Sequence, residues 1–107
     1  MIAAAIATMA LAGPTSVGIS AREFRYGVYR TAVPAGRVTL VVHNFGEDDH
    51  DIAVRGPRGY RSSVSPDIDP GATIRFPVRL RRAGRYTLVC TKPGHLAAGM
   101  RATLTVR

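Results

Sequence analysis

Apolar residues alternate with polar ones along several short stretches, and this alternation restricts the fold more than any other feature of the sequence. Residues 74–81 have the sequence IRFPVRLR, and similar alternation covers 38–42, 86–90 and 100–106. A period of two is typical of a half-buried β-strand, and no window after Ala12 has a sustained helical period. Turn-forming residues separate the stretches at 34–36, 56–59, 69–71, 82–84 and 93–94.

Short strands at this spacing predict an all-β sandwich or barrel. Because the alternation leaves one face of each strand polar, antiparallel sheets are favoured. Near the N-terminus, residues 17–21 alternate in one parity and residues 24–26 continue in the other, so we expect a bulge near Arg22 and Glu23. A chain of 107 residues corresponds to one domain.

The first twelve residues carry no charge and are rich in Ala and Ile. Ala10-Leu11-Ala12 has the small-x-small form of a signal-peptidase site, although the basic start of a signal peptide is missing. We predict that 1–12 is a truncated remnant of an export signal and that 13–107 form the domain, which would be periplasmic or extracellular. A native N-terminus is the alternative. The stretch is shorter than the ~20 apolar residues that cross a bilayer, so no integral membrane span is expected.

The chain is basic, with a net charge of +8, and all but one of its 15 Lys and Arg residues are Arg. The alternation places five arginines on the wet face of one predicted hairpin, where they either keep the protein soluble or dock an acidic partner: Arg75, Arg79, Arg81, Arg82 and Arg85. Nucleic-acid binding is not expected, because the chain has no Trp for base stacking and an export-like start. We expect a monomer.

Three residues of unusual chemistry lie between the last two predicted strands. Cys90 ends one strand on its inward face, and Met100 begins the next on its inward face. A hairpin that joins these strands brings Cys90 and Met100 close together, and the turn at Pro93-Gly94 places His95 between them. A lone Cys or Met is ordinarily core filler, but here a thiolate, an imidazole and a thioether converge on one point.

Thiolate and thioether ligands suit copper, and two His with one Cys and a weak axial Met form the blue-copper arrangement. The second His is either His50 or His43. His43 alternates with inward-facing residues of its strand and should face solvent, so we assign His50. Zinc fits poorly, because Met is a weak ligand for it. The neighbouring acidic run 47–49 is either a solvated turn or a patch for copper capture or a cationic partner.

These motifs resemble the cupredoxin family, in particular its small single-domain bacterial members. The resemblance covers about 17–106 and rests on the C-x4-H-x4-M loop of Cys90, His95 and Met100, on N-x-G-x3-H-D from Asn44 to Asp51, and on flanks such as 33–36 and 86–89. It implies a Greek-key β-sandwich of about 7–8 strands, with copper at one pole that cycles between Cu(II) and Cu(I).

Asp51 departs from several relatives, which have Asn directly after the first His ligand. In those relatives this side chain ties the two copper loops together, and Asp51 could do the same by accepting a hydrogen bond from Thr91. An ionised Asp51 near the thiolate would favour Cu(II) over Cu(I).

The resulting functional expectation is a type 1 copper protein that carries single electrons between exported or membrane redox partners. The resemblance makes His95 the electron port, and Leu96, Ala97 and Ala98 would form an apolar rim for a transient partner. Delivery or storage of copper is the main alternative, and a metal-free adhesive or sensory domain is a weaker one. Enzymatic activity is not expected, because protein ligands fill all four coordination positions.

Overall fold

The computed structural model describes residues 15–107. The predicted signal remnant, 1–12, lies outside the described residues. The strands are β1 (Thr15–Arg22), β2 (Arg25–Val28), β3 (Ala32–Val33), β4 (Gly36–Asn44), β5 (Ala53–Arg55), β6 (Thr73–Leu80), β7 (Gly84–Val89) and β8 (Arg101–Val106). A short 3-10 turn, Pro57–Gly59, follows β5.

The strands form two four-stranded sheets, ordered β2-β1-β4-β6 and β3-β8-β7-β5. This confirms the predicted all-β sandwich, and the strand count agrees with it. The sheets are mixed rather than antiparallel throughout, because β1 pairs in parallel with β4 and β3 pairs in parallel with β8. The parallel pairs arise because the chain leaves the first sheet after β2, contributes β3 to the second sheet, and then returns as β4.

The core lies between the two sheets and is built from the inward positions of the predicted alternation. In β4, Val38, Leu40 and Val42 are fully buried, and in β7 the side chains of Tyr86 and Leu88 meet them from the other sheet. Complete burial of one such aliphatic side chain contributes about 1.5–3 kcal/mol relative to exposure. The period of two therefore fixes which face of each strand points inward.

The prediction of a bulge near Arg22 and Glu23 is wrong. β1 and β2 instead form an antiparallel hairpin, in which Arg22 pairs with Arg25 across the two-residue turn Glu23-Phe24. Reversal of the chain at this turn places Tyr26 opposite Ala21 on the inner face. The change of parity in the sequence therefore marks a chain reversal and not a bulge.

The prediction that the five arginines line one hairpin is also wrong. The five arginines, Arg75, Arg79, Arg81, Arg82 and Arg85, are all exposed as predicted. However, β6 belongs to one sheet and β7 to the other, so the connection at 81–83 crosses between the sheets instead of closing a hairpin. The alternation predicted which side chains face water, but it carries no information on which strands pair.

Candidate metal centre

Cys90 and Met100 lie where the last two strands meet at one end of the sandwich, which we call the metal pole. β7 and β8 are antiparallel, and their last ladder pair is Val89 with Arg101. One step beyond it, the Cys90 amide donates to the Met100 carbonyl at 3.3 Å. Both side chains are fully buried, as the inward parity of the two strands predicts.

The loop between them turns back on itself and holds His95 over Cys90. The His95 amide donates to the Lys92 carbonyl at 3.0 Å, and the Met100 amide donates to the His95 carbonyl at 3.1 Å. Gly94 has φ +81° in this turn, a conformation that favours glycine. The result is a separation of 3.5 Å between Cys90 Sγ and His95 Nδ1.

His50 is held by a second loop, which Asn44 organises from the end of β4. The fully buried Asn44 side chain donates to the carbonyls of Asp48 and Ile68, each at 2.8 Å, and accepts from the Gly46 amide at 2.8 Å. His50 and Ile68 then exchange two backbone hydrogen bonds, at 3.2 and 2.7 Å. The N-x-G spacing of the motif thus fixes the loop that presents His50.

Three of the predicted donors meet at the metal pole. His50 Nδ1 lies 3.2 Å from His95 Nδ1, and one donor atom each from His50, Cys90 and His95 lies within 4.8 Å of the others. The side chain of His50 is fully buried, whereas 12% of the His95 side chain is exposed. His43 points to the outer face of its sheet and bonds the Thr73 hydroxyl at 2.5 Å, so the structure does not bring it to this cluster.

The chemistry of this donor set fits copper. Burial raises the pKa of the Cys90 thiol, and backbone hydrogen bonds near Asp51 and Lys92 offset part of that increase. A bound metal ion stabilises the thiolate in such a buried position. With protons on their Nε2 atoms, both imidazoles have a free lone pair on Nδ1. The two Nδ1 atoms lie 3.2 Å apart, and that of His95 lies 3.5 Å from Cys90 Sγ. A soft sulfur with two imidazoles, beside a buried Met, is a combination that suits copper.

The outward nitrogen of each imidazole faces a carboxylate. Glu23 Oε2 lies 3.4 Å from His50 Nε2, and Asp48 Oδ2 lies 3.6 Å from His95 Nε2. Carboxylates on the far nitrogen of metal-ligating histidines fix the tautomer and the orientation of the ring. Both carboxylates therefore favour the tautomer that leaves the Nδ1 atoms free to coordinate.

Glu23 also holds the loop that carries His50. Its Oε1 accepts from the amides of Glu47 and Asp48, at 2.5 and 2.6 Å. Desolvation raises the pKa of Glu23. The two amides and His50 together lower it by more than this, so the pKa lies below its ordinary value. A Cβ atom on Gly46 would lie 1.8 Å from Glu23 Oε2, so a larger residue at this position would displace the Glu23 carboxylate.

Asp51 ties the two loops together, as its position suggested. Its carboxylate accepts from the Thr91 amide at 2.7 Å and from the Thr91 hydroxyl at 2.6 Å. The buried Tyr26 hydroxyl donates to the Asp51 carbonyl. The residue after His50 and the residue after Cys90 are thereby locked together, and Tyr26 supports them from the β1–β2 hairpin.

The surface around His95 combines the predicted apolar residues with one that the sequence did not indicate. Leu96 is half-buried and Ala97 and Ala98 are exposed. The Phe24 ring packs edge-to-face on His95, with a centroid separation of 4.9 Å. The sequence pattern did not indicate Phe24 or Glu23, because the change of parity in this segment predicted a bulge. A tight turn there would have placed both residues at the end of β1, beside the His50 loop.

A family comparison places this site among known proteins. Residues 16–107 match the model of the copper binding proteins of the plastocyanin/azurin family. No curated protein matched the chain. Among the described residues, no helix is long and apolar enough to cross a membrane.

Solved structures show the same fold. Reduced auracyanin from Roseiflexus castenholzii has a TM-score of 0.74 and 22% identity, over 87% of this chain and 97% of that one. Auracyanin A from Chloroflexus aurantiacus has a TM-score of 0.73 and 22% identity, over 89% and 100%. Rusticyanin from Thiobacillus ferrooxidans has a TM-score of 0.65 and 20% identity, over 88% and 77%.

A two-sheet sandwich with a buried cluster of soft and imidazole donors at one pole defines the class of small blue-copper proteins. The family match covers nearly all described residues, and the chain therefore belongs to the plastocyanin/azurin family of copper-binding proteins. The cupredoxin resemblance of the sequence is confirmed, and copper is the metal that the family and the donor chemistry imply.

Proposed function

We propose that this protein is a type 1 copper protein that carries single electrons between redox partners. The observation that carries the proposal is the convergence of one thiol and two imidazoles, with both Nδ1 atoms directed to the same buried point. The ligands would be His50, Cys90, His95 and Met100. When bound, copper would supply the Cu(II)/Cu(I) couple.

The surroundings of the four side chains support rapid electron transfer. Cys90 and Met100 stand at the ends of paired strands, and Asn44 and Asp51 hold the loops on either side through several hydrogen bonds. Such ligands move little when the charge of the metal changes, which keeps the reorganisation energy low. Four protein ligands also leave no open position for a substrate, so we propose a carrier and not an enzyme.

His95 would be the route by which electrons leave. It combines contact with Cys90 with partial exposure, whereas His50 is fully buried. Phe24, Leu96, Ala97 and Ala98 surround it with a small apolar surface, which suits the weak, short-lived complexes of electron carriers. We therefore place the docking surface for redox partners here.

The uncharged N-terminal segment supports export. In this proposal residues 1–12 are the remnant of an export signal, 13–107 are the mature domain, and the protein works in the periplasm or outside the cell.

Titration of the purified metal-free protein with Cu(II) tests the proposal. We expect an intense visible charge-transfer band at one equivalent of copper, and reversible one-electron voltammetry. Cys90→Ala should abolish the band and His50→Ala should abolish or strongly shift it. His43→Ala is the matched control, because His43 lies on the outer face of its sheet, and it should leave the band unchanged.

Two results would change the conclusion. A band that survives in Cys90→Ala would refute the ligand assignment. A copper ion that passes rapidly to a chelator or to a metal-free acceptor protein, with no reversible voltammetry, would instead favour copper delivery as the function.

A further inference from the structure

The acidic residues of the domain are confined to one of its two ends, whereas basic residues occur at both. All seven acidic residues, Glu23, Glu47, Asp48, Asp49, Asp51, Asp67 and Asp69, lie at the metal pole or in the loops that reach it. The last two flank Ile68, which pairs with His50. The carboxylates therefore form a group around the metal site, although the protein as a whole is basic.

Among the described residues, the opposite end carries arginines and no acidic side chain. β4 and β7 begin there, and β6 and β8 end there. We call this end the basic pole, and it consists of Arg37, Arg58, Arg79, Arg81, Arg82, Arg85 and Arg107. The length of β7 separates it from Cys90 by about 20 Å.

These arginines have no acidic partner among the described residues. The ion pairs of the described residues are Glu23 with His50, Asp67 with Lys92, and Asp48 with His95. All of them lie at the metal pole, and none involves an arginine. Unpaired like charges repel one another, so a surface of this kind favours an external anion.

The basic pole is also shaped to admit anionic groups. A cleft of about 490 Å³ opens there between the 57–59 turn and the end of β6, and its lining includes Arg58, Arg79, Arg81, Arg82, Tyr60 and Tyr86. The guanidinium group binds phosphate oxygens in a planar, two-point geometry. The arginines come from several separate segments, so the positive charge covers the whole end of the sandwich and not one narrow groove.

We propose that the basic pole binds the anionic surface of a phospholipid membrane and holds the metal pole away from it. A broad arginine surface fits the phosphate groups of a lipid layer, and each arginine near such a surface strengthens binding. The chain enters β1 at Thr15, at this same pole because β1 runs parallel to β4.

This arrangement is independent of the proposed electron transfer but would assist it. With the basic pole on the membrane, His95 and its apolar surround would face partners on the opposite side. An acidic protein on the arginines is the competing occupant. The membrane is favoured because the arginines come from several separate segments and the charge spans the whole pole.

Vesicle binding by the full chain tests the proposal. We expect the protein to sediment with vesicles of phosphatidylcholine and phosphatidylglycerol, but not with phosphatidylcholine alone, and to dissociate at high salt. The triple variant Arg79→Gln, Arg81→Gln, Arg82→Gln should bind the anionic vesicles on the order of 100-fold more weakly. The matched control, Arg22→Gln, Arg25→Gln, Arg75→Gln, removes the same charge elsewhere and should lose less than about tenfold.

A fluorescence measurement checks the orientation, because the chain has no Trp of its own. Ala83→Trp reports from the basic pole and Phe45→Trp from the metal pole, and both positions are exposed. Anionic vesicles should shift the emission of the first variant to shorter wavelength and leave that of the second unchanged.

Three outcomes would overturn the proposal. One is equal loss of binding in the two triple variants, which would assign binding to net charge alone. Another is binding to neutral vesicles that no arginine variant alters, which would assign it to the N-terminal segment. The third is absence of vesicle binding together with arginine-dependent binding of polyglutamate, which would favour an acidic protein. None of these outcomes bears on the Cu(II) titration, so the two proposals fail separately.

Discussion

At the metal pole nearly every polar group near the site is bonded to another, whereas at the basic pole the charged groups face solvent without partners. Asp51, Asn44 and Glu23 each make two or more hydrogen bonds that connect separate loops. The arginines of the basic pole make no ion pair among the described residues. The first arrangement stabilises one geometry, and the second leaves charge available for an external partner.

This difference predicts different responses to mutation. Removal of a charge at the metal pole leaves buried groups without partners, which is costly. Removal of a charge at the basic pole breaks no contact and reduces repulsion. The change in unfolding free energy on removal of a charge should therefore differ between the two poles in size and even in sign.

The largest effect should come from Asp51→Ala. The change leaves the Thr91 amide and hydroxyl without their acceptor and separates the two loops of the site, so we expect a loss of about 3 kcal/mol of unfolding free energy. Denaturant unfolding of the metal-free protein measures this loss. Asp51→Asn keeps an acceptor for the amide and a donor for the hydroxyl, and it should cost about 1 kcal/mol. Equal losses for the two variants would mean that the charge, and not the loop connection, provides the stability.

Tyr26→Phe should have the next largest effect. It removes the donor to the Asp51 carbonyl, for an expected loss of about 1–2 kcal/mol near neutral pH. Burial raises the pKa of the Tyr26 phenol, and the nearby Cys90 raises it further. The folded protein therefore keeps this phenol neutral where the unfolded chain ionises it, at and above about pH 10.

The contribution of Tyr26 to the unfolding free energy should decrease at alkaline pH. Because ionisation favours the unfolded chain, the stabilisation that Tyr26 provides is complete below about pH 10 and decreases as the pH rises above that value. The difference in melting temperature between wild type and Tyr26→Phe should accordingly narrow at alkaline pH. A constant difference across this range would contradict the raised pKa.

Glu23→Gln should change the copper site more than the fold. Glutamine retains an oxygen that can accept from the Glu47 and Asp48 amides, but it removes a negative charge beside His50. Loss of that charge disfavours Cu(II), so the reduction potential should rise on the order of tens of millivolts. Asp67→Asn is the control, because Asp67 is half exposed and pairs with Lys92 and not with an imidazole. An equal rise in both variants would indicate a general effect of net charge.

The sequence predicted the inward faces of the strands, the pairing of the strand ends at Cys90 and Met100, and the approach of His95 to Cys90, because all three follow from local patterns. Strand alternation fixes which side chains are buried, and a short loop between paired strands limits where His95 can lie. The exclusion of His43 from the cluster depended on the same parity, and the position of its ring on the outer face agrees with it.

The sequence could not predict which strands pair or which residues approach from a distance. The β6–β7 connection is short enough for a hairpin, yet it crosses between the sheets. The contact of Glu23 with His50 joins residues that are 27 positions apart, and it depends on where the β1–β2 hairpin turns. The separation of charge between the poles depends in the same way on topology, because acidic and basic residues are interspersed along much of the chain.

The smallest predicted effect tests the basic pole directly. Arg37 and Arg79 are cross-strand neighbours on the outer face of the β4–β6 pair, and like charges in this position are destabilising. Arg79→Glu should therefore increase the unfolding free energy by about 0.5 kcal/mol at low salt, and less at high salt. Arg75→Glu is the matched control, since Arg75 faces Val41 and gains no such pair.

If Arg79→Glu is more stable than the wild type but binds anionic vesicles more weakly, the same arginine both repels its neighbour and binds anions. If Arg79→Glu is no more stable than Arg75→Glu, the two arginines do not repel, and the contrast between the poles is one of hydrogen bonding alone.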